Sequence, residues 1–329
     1  MHSTLVDYLA KLPSGYSARP HTVADAAAFL GIVQKLDMHA CGETSTTIEE
    51  VTDDLADDKL DGGAGGAAIL DDNNQVIAIV NAFNELALNR GLFADVFIDP
   101  TLATREGQAV GEAIVSATVS YAREIAVNFP ETEPFIRTGL YATDEAFLHG
   151  LRSNGFEQSR ILWRMRVDHE ANLQPSVAPA GVEFEDFNHT EDQYREVHQV
   201  QMDAFREYHD FRPKPYEDWR EQWVDRLTED PNWWRLARVE GKLVGICQRT
   251  RRFESAGFGY IGSLGVLSEY RGRGIARALL RDAFFHDQRN GLNSTLLHGD
   301  STNPTGAMFL YQSVGMRTDR EYLAYRLSW

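Results

Sequence analysis

The stretch that most limits what this chain can fold into is Leu264-Gly265-Val266-Leu267-Ser268-Glu269-Tyr270-Arg271-Gly272-Arg273-Gly274-Ile275-Ala276-Arg277-Ala278-Leu279-Leu280. Tyr260 to Val266 is apolar and β-prone, whereas Ile275, Ala278, Leu279 and Ala283 recur at helical spacing. Arg271 to Gly274 is therefore the turn between a strand and a helix. The first turn of a helix carries N–H groups without intrahelical acceptors and a partial positive charge. With Gly272 and Gly274 letting a ligand approach the main chain, such a turn holds a pyrophosphate, and Arg271 and Arg273 add charge. An ordinary strand-to-helix turn with solvated arginines has the same residues, so the glycines alone do not decide.

A second signature lies downstream. After the strand-like run Thr295-Leu296-Leu297-His298-Gly299 comes Asn303-Pro304-Thr305-Gly306-Ala307-Met308-Phe309-Leu310-Tyr311-Gln312-Ser313-Val314-Gly315-Met316. The order R-x-x-G-x-A at Arg271, Gly274 and Ala276 resembles the coenzyme A pyrophosphate loop of the GNAT superfamily of acetyltransferases. The later segment resembles that family's second signature, an asparagine opening a short helix, a tyrosine near its end, then glycine and a large apolar residue.

The chain has 329 residues, long for one domain and comfortable for two, with 43% apolar residues to build a core in each. A net charge of -17 argues against nucleic acid or an anionic membrane as partner, since both need clustered Lys and Arg. It is mildly favourable to a cationic substrate such as an amine. No apolar run is long enough to span a bilayer, and Met1-His2-Ser3-Thr4-Leu5-Val6-Asp7 lacks the regions of a signal peptide, so a cytoplasmic location is expected. Cys41 and Cys247 have no paired spacing, which indicates neither a disulfide framework nor a metal site.

The elements recur with a long period. The first series has strands at Ala67 to Leu70, Val76 to Phe83, Leu92 to Ile98, Phe135 to Tyr141 and Ile161 to Val167, with helices at Gly107 to Asn128 and Asp144 to Ser153. The second has helices at Thr190 to Phe205, Tyr216 to Leu227 and Thr305 to Val314 around the central motif. Asp168 to Gly181, with Pro175 and Pro179, reads as a linker. Residues 1–167 are thus expected to form one domain and 182–329 another. Gly62-Gly63-Ala64-Gly65-Gly66 precedes a strand, so no helix N-terminus is there to receive an anion, and it reads as a flexible connection.

The resemblance implies an α/β (α+β) fold of two tandem GNAT-like domains, each a mixed, largely antiparallel sheet flanked by helices, in an arrangement resembling mycothiol synthase. The first copy departs from the pattern. Thr104 stands where Arg271 stands, Glu106 brings a negative charge beside the loop, and Leu151 falls where Tyr311 falls. The first domain is therefore expected to be degenerate and the second catalytic.

What the resemblance implies for chemistry is transfer of an acetyl group from acetyl-CoA, as cosubstrate and without a metal, to a primary amine that attacks the thioester directly in a ternary complex. It assigns coenzyme binding to Arg271, Gly272, Arg273, Gly274, Ile275, Ala276 and Asn303. It places the thioester oxygen against main-chain N–H at Leu264, Gly265 and Val266, and makes Tyr311 the acid that protonates the thiolate. His298, where mycothiol synthase places a substrate-contacting tyrosine, is the candidate base, with Tyr260 and Asp300 as alternatives. The segment Phe205 to Pro213, with Trp219 and Trp223, is where the family varies to shape its acceptor site, although the spacing of the two tryptophans also suits a core face. A coenzyme-binding regulatory protein without turnover, or an acyltransferase using a longer acyl-CoA or a protein amine, has the same signatures.

Overall fold

The computed structural model describes the chain except residues 1, 2, 45, 58, 59, 61, 62, 87–90, 132, 172, 209, 210, 225–229 and 304. Of the segments read above, Met1, His2, Gly62, His209, Asp210, Leu227 and Pro304 lie outside the described residues. The chain divides into two compact units, Met1–Ile161 with Glu321–Trp329, and Leu162–Arg320.

The first unit contains α1 (Leu5–Tyr8), β1 (Tyr16–Arg19), α2 (Ala26–Cys41), α3 (Ile48–Leu55), β2 (Gly66–Asp71), β3 (Val76–Asn84), β4 (Leu92–Ile98), α4 (Thr104–Ala126), β5 (Phe135–Tyr141), α5 (Glu145–Ser153) and the start of β6 (Glu157–Asp168). Its sheet runs β1-β2-β3-β4-β5, antiparallel throughout except for a short parallel contact of Leu92 and Phe93 with Ile136 and Arg137. Beyond β5 the next strand is Tyr322–Ser328, from the end of the chain. Alternate residues of β4, Leu92, Ala94, Val96 and Ile98, are buried in a cluster with Val110, Ile114, Phe147 and Leu151, the period-two burial of a strand covered by helices.

The second unit contains the rest of β6, then β7 (Glu183–Asp186), α6 (Glu191–Ala204), α7 (Tyr216–Trp223), β8 (Arg235–Val239), β9 (Lys242–Thr250), β10 (Phe258–Val266), α8 (Ile275–Arg289), β11 (Ser294–Asp300), α9 (Ala307–Ser313) and the first residues of β12 (Arg317–Ser328). Its sheet order is β7-β8-β9-β10-β11-β6, with only β10 and β11 parallel. Here the strand beside β11 is Leu162–Asp168. The compact units are therefore not continuous in sequence as 1–167 and 182–329 are. A repeat in sequence carries the order of elements; it does not say which sheet a closing strand joins.

One irregularity of β10 positions everything that follows. β10 pairs with β11 only from Phe258 to Ile261, a bulge separates Ile261 from Ser263, and from there β10 keeps only β9. From His298 to Asp300, β11 keeps only β6. The two parallel strands thus splay, and a wedge opens between Gly262–Val266 and His298–Asp300. Beyond Ile261 the main chain of β10 faces this wedge rather than β11. Helix α8 covers one face through Ile275, Leu279 and Ala283, and α6 the other through Val197 and Val200. Glycine is needed where α6 ends: a Cβ on Gly265 would lie 3.0 Å from the Ala204 Cβ.

Candidate active site

The turn between β10 and α8 is held open from below. Leu267 N–H donates to the Val244 carbonyl (3.0 Å) and Arg271 N–H to that of Ser268 (3.2 Å). Gly272 (φ 75°) and Gly274 (φ 80°) are both left-handed, a conformation that a side chain disfavours, and Gly274 caps α8. The first helical bond is Ala278 N–H to the Gly274 carbonyl (3.0 Å). The N–H groups from Gly272 to Arg277 consequently have no acceptor among the described residues. Successive amides in this geometry at a helix N-terminus make an anion-binding concavity.

The arginines of the turn act differently from the expectation of two charges facing a phosphate. Arg271 folds back: Nε donates to the Val266 carbonyl (3.2 Å), Nη2 to that of Ala204 (2.9 Å), and Nη1 pairs with Glu207 (2.5 Å). Its charge is balanced, and it ties the end of α6 to the strand. Arg273 lies over the Tyr270 ring (5.0 Å) and is not among the cavity-lining residues. An anion at this turn would meet backbone dipoles rather than an unbalanced Arg271 charge.

A cavity of about 400 Å³ joins the turn to the wedge. Its walls include Leu264–Val266, Arg271, Gly272, Gly274–Ala276, Asn303, His298 and Tyr311, so the expected site residues meet in one space except Arg273 and the alternative bases Tyr260 and Asp300. Tyr311, on α9, is 8% exposed and crosses β11 where there is no side chain: a Cβ on Gly299 would sit 3.5 Å from the Tyr311 Cε2. Its hydroxyl has no hydrogen-bond partner among the described residues. Burial first, and then Tyr208, Cys247 and Tyr260, push its pKa above that of an ordinary phenol, so it is protonated at neutral pH.

His298 projects from β11 into the wedge, with Nδ1 2.9 Å from the Tyr260 hydroxyl. Surrounding protein, then Arg252, Arg164 and Arg320, push its pKa down to about 4. The ring is open to the cleft, which weakens the effect of burial, but the three guanidinium groups act in the same direction; the imidazole is neutral at pH 7.

Asn303 is engaged within the protein on all sides. Its Oδ1 accepts from Thr305 N–H (2.9 Å) and the Thr305 hydroxyl (2.7 Å), its N–H donates to the Asp300 carbonyl (3.1 Å), and its Nδ2 donates to the Tyr208 hydroxyl. Tyr208 and Arg277 also line the cavity, and neither was singled out by motif. Tyr208 stands 95 positions from Asn303, a pairing that no local pattern announces.

The corresponding turn of the first unit is closed. Helix α4 begins at Thr104, so residues that would form the open loop are its first turn, and the N–H groups of Glu106 and Gly107 both donate to the Ala103 carbonyl (2.9 and 2.8 Å). A Cβ on Gly107 would meet the Ala146 Cβ at 3.3 Å; this glycine serves close packing of α5 on α4. Leu151, in the place of Tyr311, is 1% exposed in the apolar core.

The described residues contain no group of three or more His, Cys, Asp or Glu side chains placed to hold a metal ion, and no helix among them is long and apolar enough to cross a membrane.

Residues 194–316 match the model of the Acetyltransferase (GNAT) family. Two curated relatives are a mycothiol acetyltransferase of Thermobispora bispora, 30% identical over 169 residues that cover 49% of this chain and 55% of that protein, and one of Streptomyces griseus, 31% identical over 105 residues that cover 31% and 34%. The matches thus span about half or less of the curated relatives' length. Among solved structures, a GCN5-related N-acetyltransferase from Sphaerobacter thermophilus superimposes with a TM-score of 0.83 at 25% identity, covering 97% of each chain. A tandem GNAT protein from the clavulanic acid biosynthesis pathway superimposes with a TM-score of 0.67 at 13% identity, over 95% of this chain and 98% of that one, which is a likeness of fold.

Proposed function

We propose that this chain, whose residues 194–316 match the Acetyltransferase (GNAT) family model, is a cytoplasmic N-acetyltransferase that moves the acetyl group of acetyl-CoA directly to a small-molecule primary amine in a ternary complex. One observation carries the reading. The turn whose amides from Gly272 to Arg277 have no acceptor among the described residues, and the phenol of Tyr311, which has no partner among them, border the same cavity, which the splayed strands extend. Acetyl-CoA supplies an acyl carbon on a thiol leaving group. The protein's part is to hold a pyrophosphate at the turn, to receive a carbonyl oxygen with main-chain N–H on the wedge side of Leu264–Val266, and to protonate sulfur from Tyr311. The closed α4 turn and Leu151 support assigning catalysis to the second unit alone.

Acetyl-CoA labelled in the acetyl group, incubated with a panel of amines, is expected to place the label on an amine nitrogen. Mycothiol-type amines belong in that panel on the strength of the relatives' name. Label that remains on the coenzyme with every amine, while coenzyme still binds, would replace the reading by that of a non-catalytic coenzyme-binding protein.

His298 provides a pH test. His298 lines the cavity where the amine would enter, with its Nδ1 2.9 Å from the Tyr260 hydroxyl. Because its pKa is lowered to about 4, the ring is neutral from roughly pH 5 upward and does not change charge where an ordinary imidazole does. The rate profile is therefore expected to lack an acid limb near the ordinary histidine pKa, and His298→Gln to lower the rate without altering the profile's shape above roughly pH 5. A limb near neutrality that disappears in His298→Gln would contradict this.

A further inference from the structure

Asn303 and Tyr208 together decide where one proton points. The Asn303 Oδ1 accepts from both the N–H and the hydroxyl of Thr305, which fixes the orientation of the amide and leaves its Nδ2 to donate to the Tyr208 oxygen. A phenol that accepts from an amide must direct its own O–H elsewhere. No acceptor among the described residues takes it, and Tyr208 lines the cavity with Tyr311. We propose that Tyr208 is a second hydroxyl donor at the leaving-group end of this cleft, with its proton turned there by the Asn303 side chain. The proposal rests on the acetyl-transfer reading.

The need for such a donor follows from the surroundings of Tyr311. The amine nitrogen bonds to the acyl carbon as the carbon–sulfur bond breaks; sulfur leaves with the bonding pair and takes the Tyr311 proton, and the surplus proton of the amine passes to solvent. The charge then rests on the Tyr311 oxygen, which has no donor of its own among the described residues and sits where burial disfavours it. Tyr208 keeps its proton, since burial and Asp300 push its pKa up to about 12, and from its place in the same cavity donates a hydrogen bond to the leaving sulfur, which shares the charge that Tyr311 alone would have to take. In this account Asn303 is a positioning residue that acts through Tyr208.

Tyr208→Phe preserves the ring contact with Phe205 (5.4 Å between centroids) and removes only the hydroxyl. It is expected to lower kcat roughly ten- to a hundredfold, the worth of one hydrogen bond to a developing charge, with the coenzyme Kd measured by calorimetry unchanged. Asn303→Asp retains the acceptor for Thr305 but offers Tyr208 a carboxylate, which draws the phenol proton away from the cleft. It is expected to show a similar loss, and the double variant no more than the larger single one. Wild-type kcat in Tyr208→Phe, or losses that multiply in the double variant, would overturn the proposal while leaving the transfer reading intact. A wild-type protein that acetylates no amine would strike the transfer reading instead. The inference is then decided by the thiolate absorbance of bound coenzyme A against pH: Tyr208→Phe should raise the pKa of the bound thiol, and an unchanged titration would overturn the inference.

Discussion

Tyr311→Phe is expected to lower turnover roughly 10²–10⁴-fold, the range for loss of one general acid, while the affinity for coenzyme A stays within about twofold of wild type. The split follows from the position of the side chain. The ring of Tyr311 packs against Gly299 and the α8 core, and phenylalanine keeps those contacts. Tyr311 lines the cavity, and Tyr311→Phe changes it there by the hydroxyl alone. Because the phenol is held protonated well above neutral pH, its removal takes away a proton donor and no charge, so ground-state binding has little reason to change. Wild-type kcat in the variant would return Tyr311 to the role of a packed core residue, and a loss confined to coenzyme Kd would make it a binding residue.

Gly274→Glu is expected to abolish the stabilisation that coenzyme A confers. At a hundredfold excess over the dissociation constant, the ligand should stabilise wild type by about 2.7 kcal/mol, read as a rise in Tm. The substitution acts twice. A non-glycine residue at φ 80° costs on the order of 1 kcal/mol, and the new carboxylate enters the row of amides that runs from Gly272 to Arg277, where it occupies the donors and repels a phosphate. Gly274→Ala separates the two effects, since it carries the backbone cost without the charge and should keep part of the ligand-induced shift. A full shift in Gly274→Glu would remove the pyrophosphate from this turn.

The turn was legible because its chemistry is local. Positive-φ glycines, a preceding strand and a following apolar period all lie within one short stretch, and Asn303 and Tyr311 follow at a spacing the eye can count. The rest depends on contacts between distant parts of the chain. Arg271 reads as a phosphate ligand until Glu207 and the Ala204 carbonyl, 64 and 67 positions away, are seen to hold it. Tyr208 lay inside the segment expected to shape the acceptor site, but nothing in the sequence distinguishes it from Phe205 or Phe211; the Asn303 amide does. The first copy shows the limit of reading a loop by its residues. Thr104, Arg105 and Glu106 look like an altered phosphate loop, whereas Ala103 is the N-cap of a helix that starts at Thr104 and takes the amides for itself. The closing strands show a second limit. Leu162–Asp168 and Tyr322–Ser328 are both extended and antiparallel to a neighbour, and their choice of sheet is set by tertiary pairing rather than by alternation.

The central claim is that the second unit's cavity transfers an acetyl group to an amine. Free thiol released from acetyl-CoA, followed as initial rate while the amine and acetyl-CoA are varied independently, tests it most directly. The account predicts release that requires the amine, saturates in both substrates, gives intersecting double-reciprocal lines and equals the acetylated amine formed. Coenzyme A that raises the Tm of the protein while no amine accelerates thiol release would contradict it.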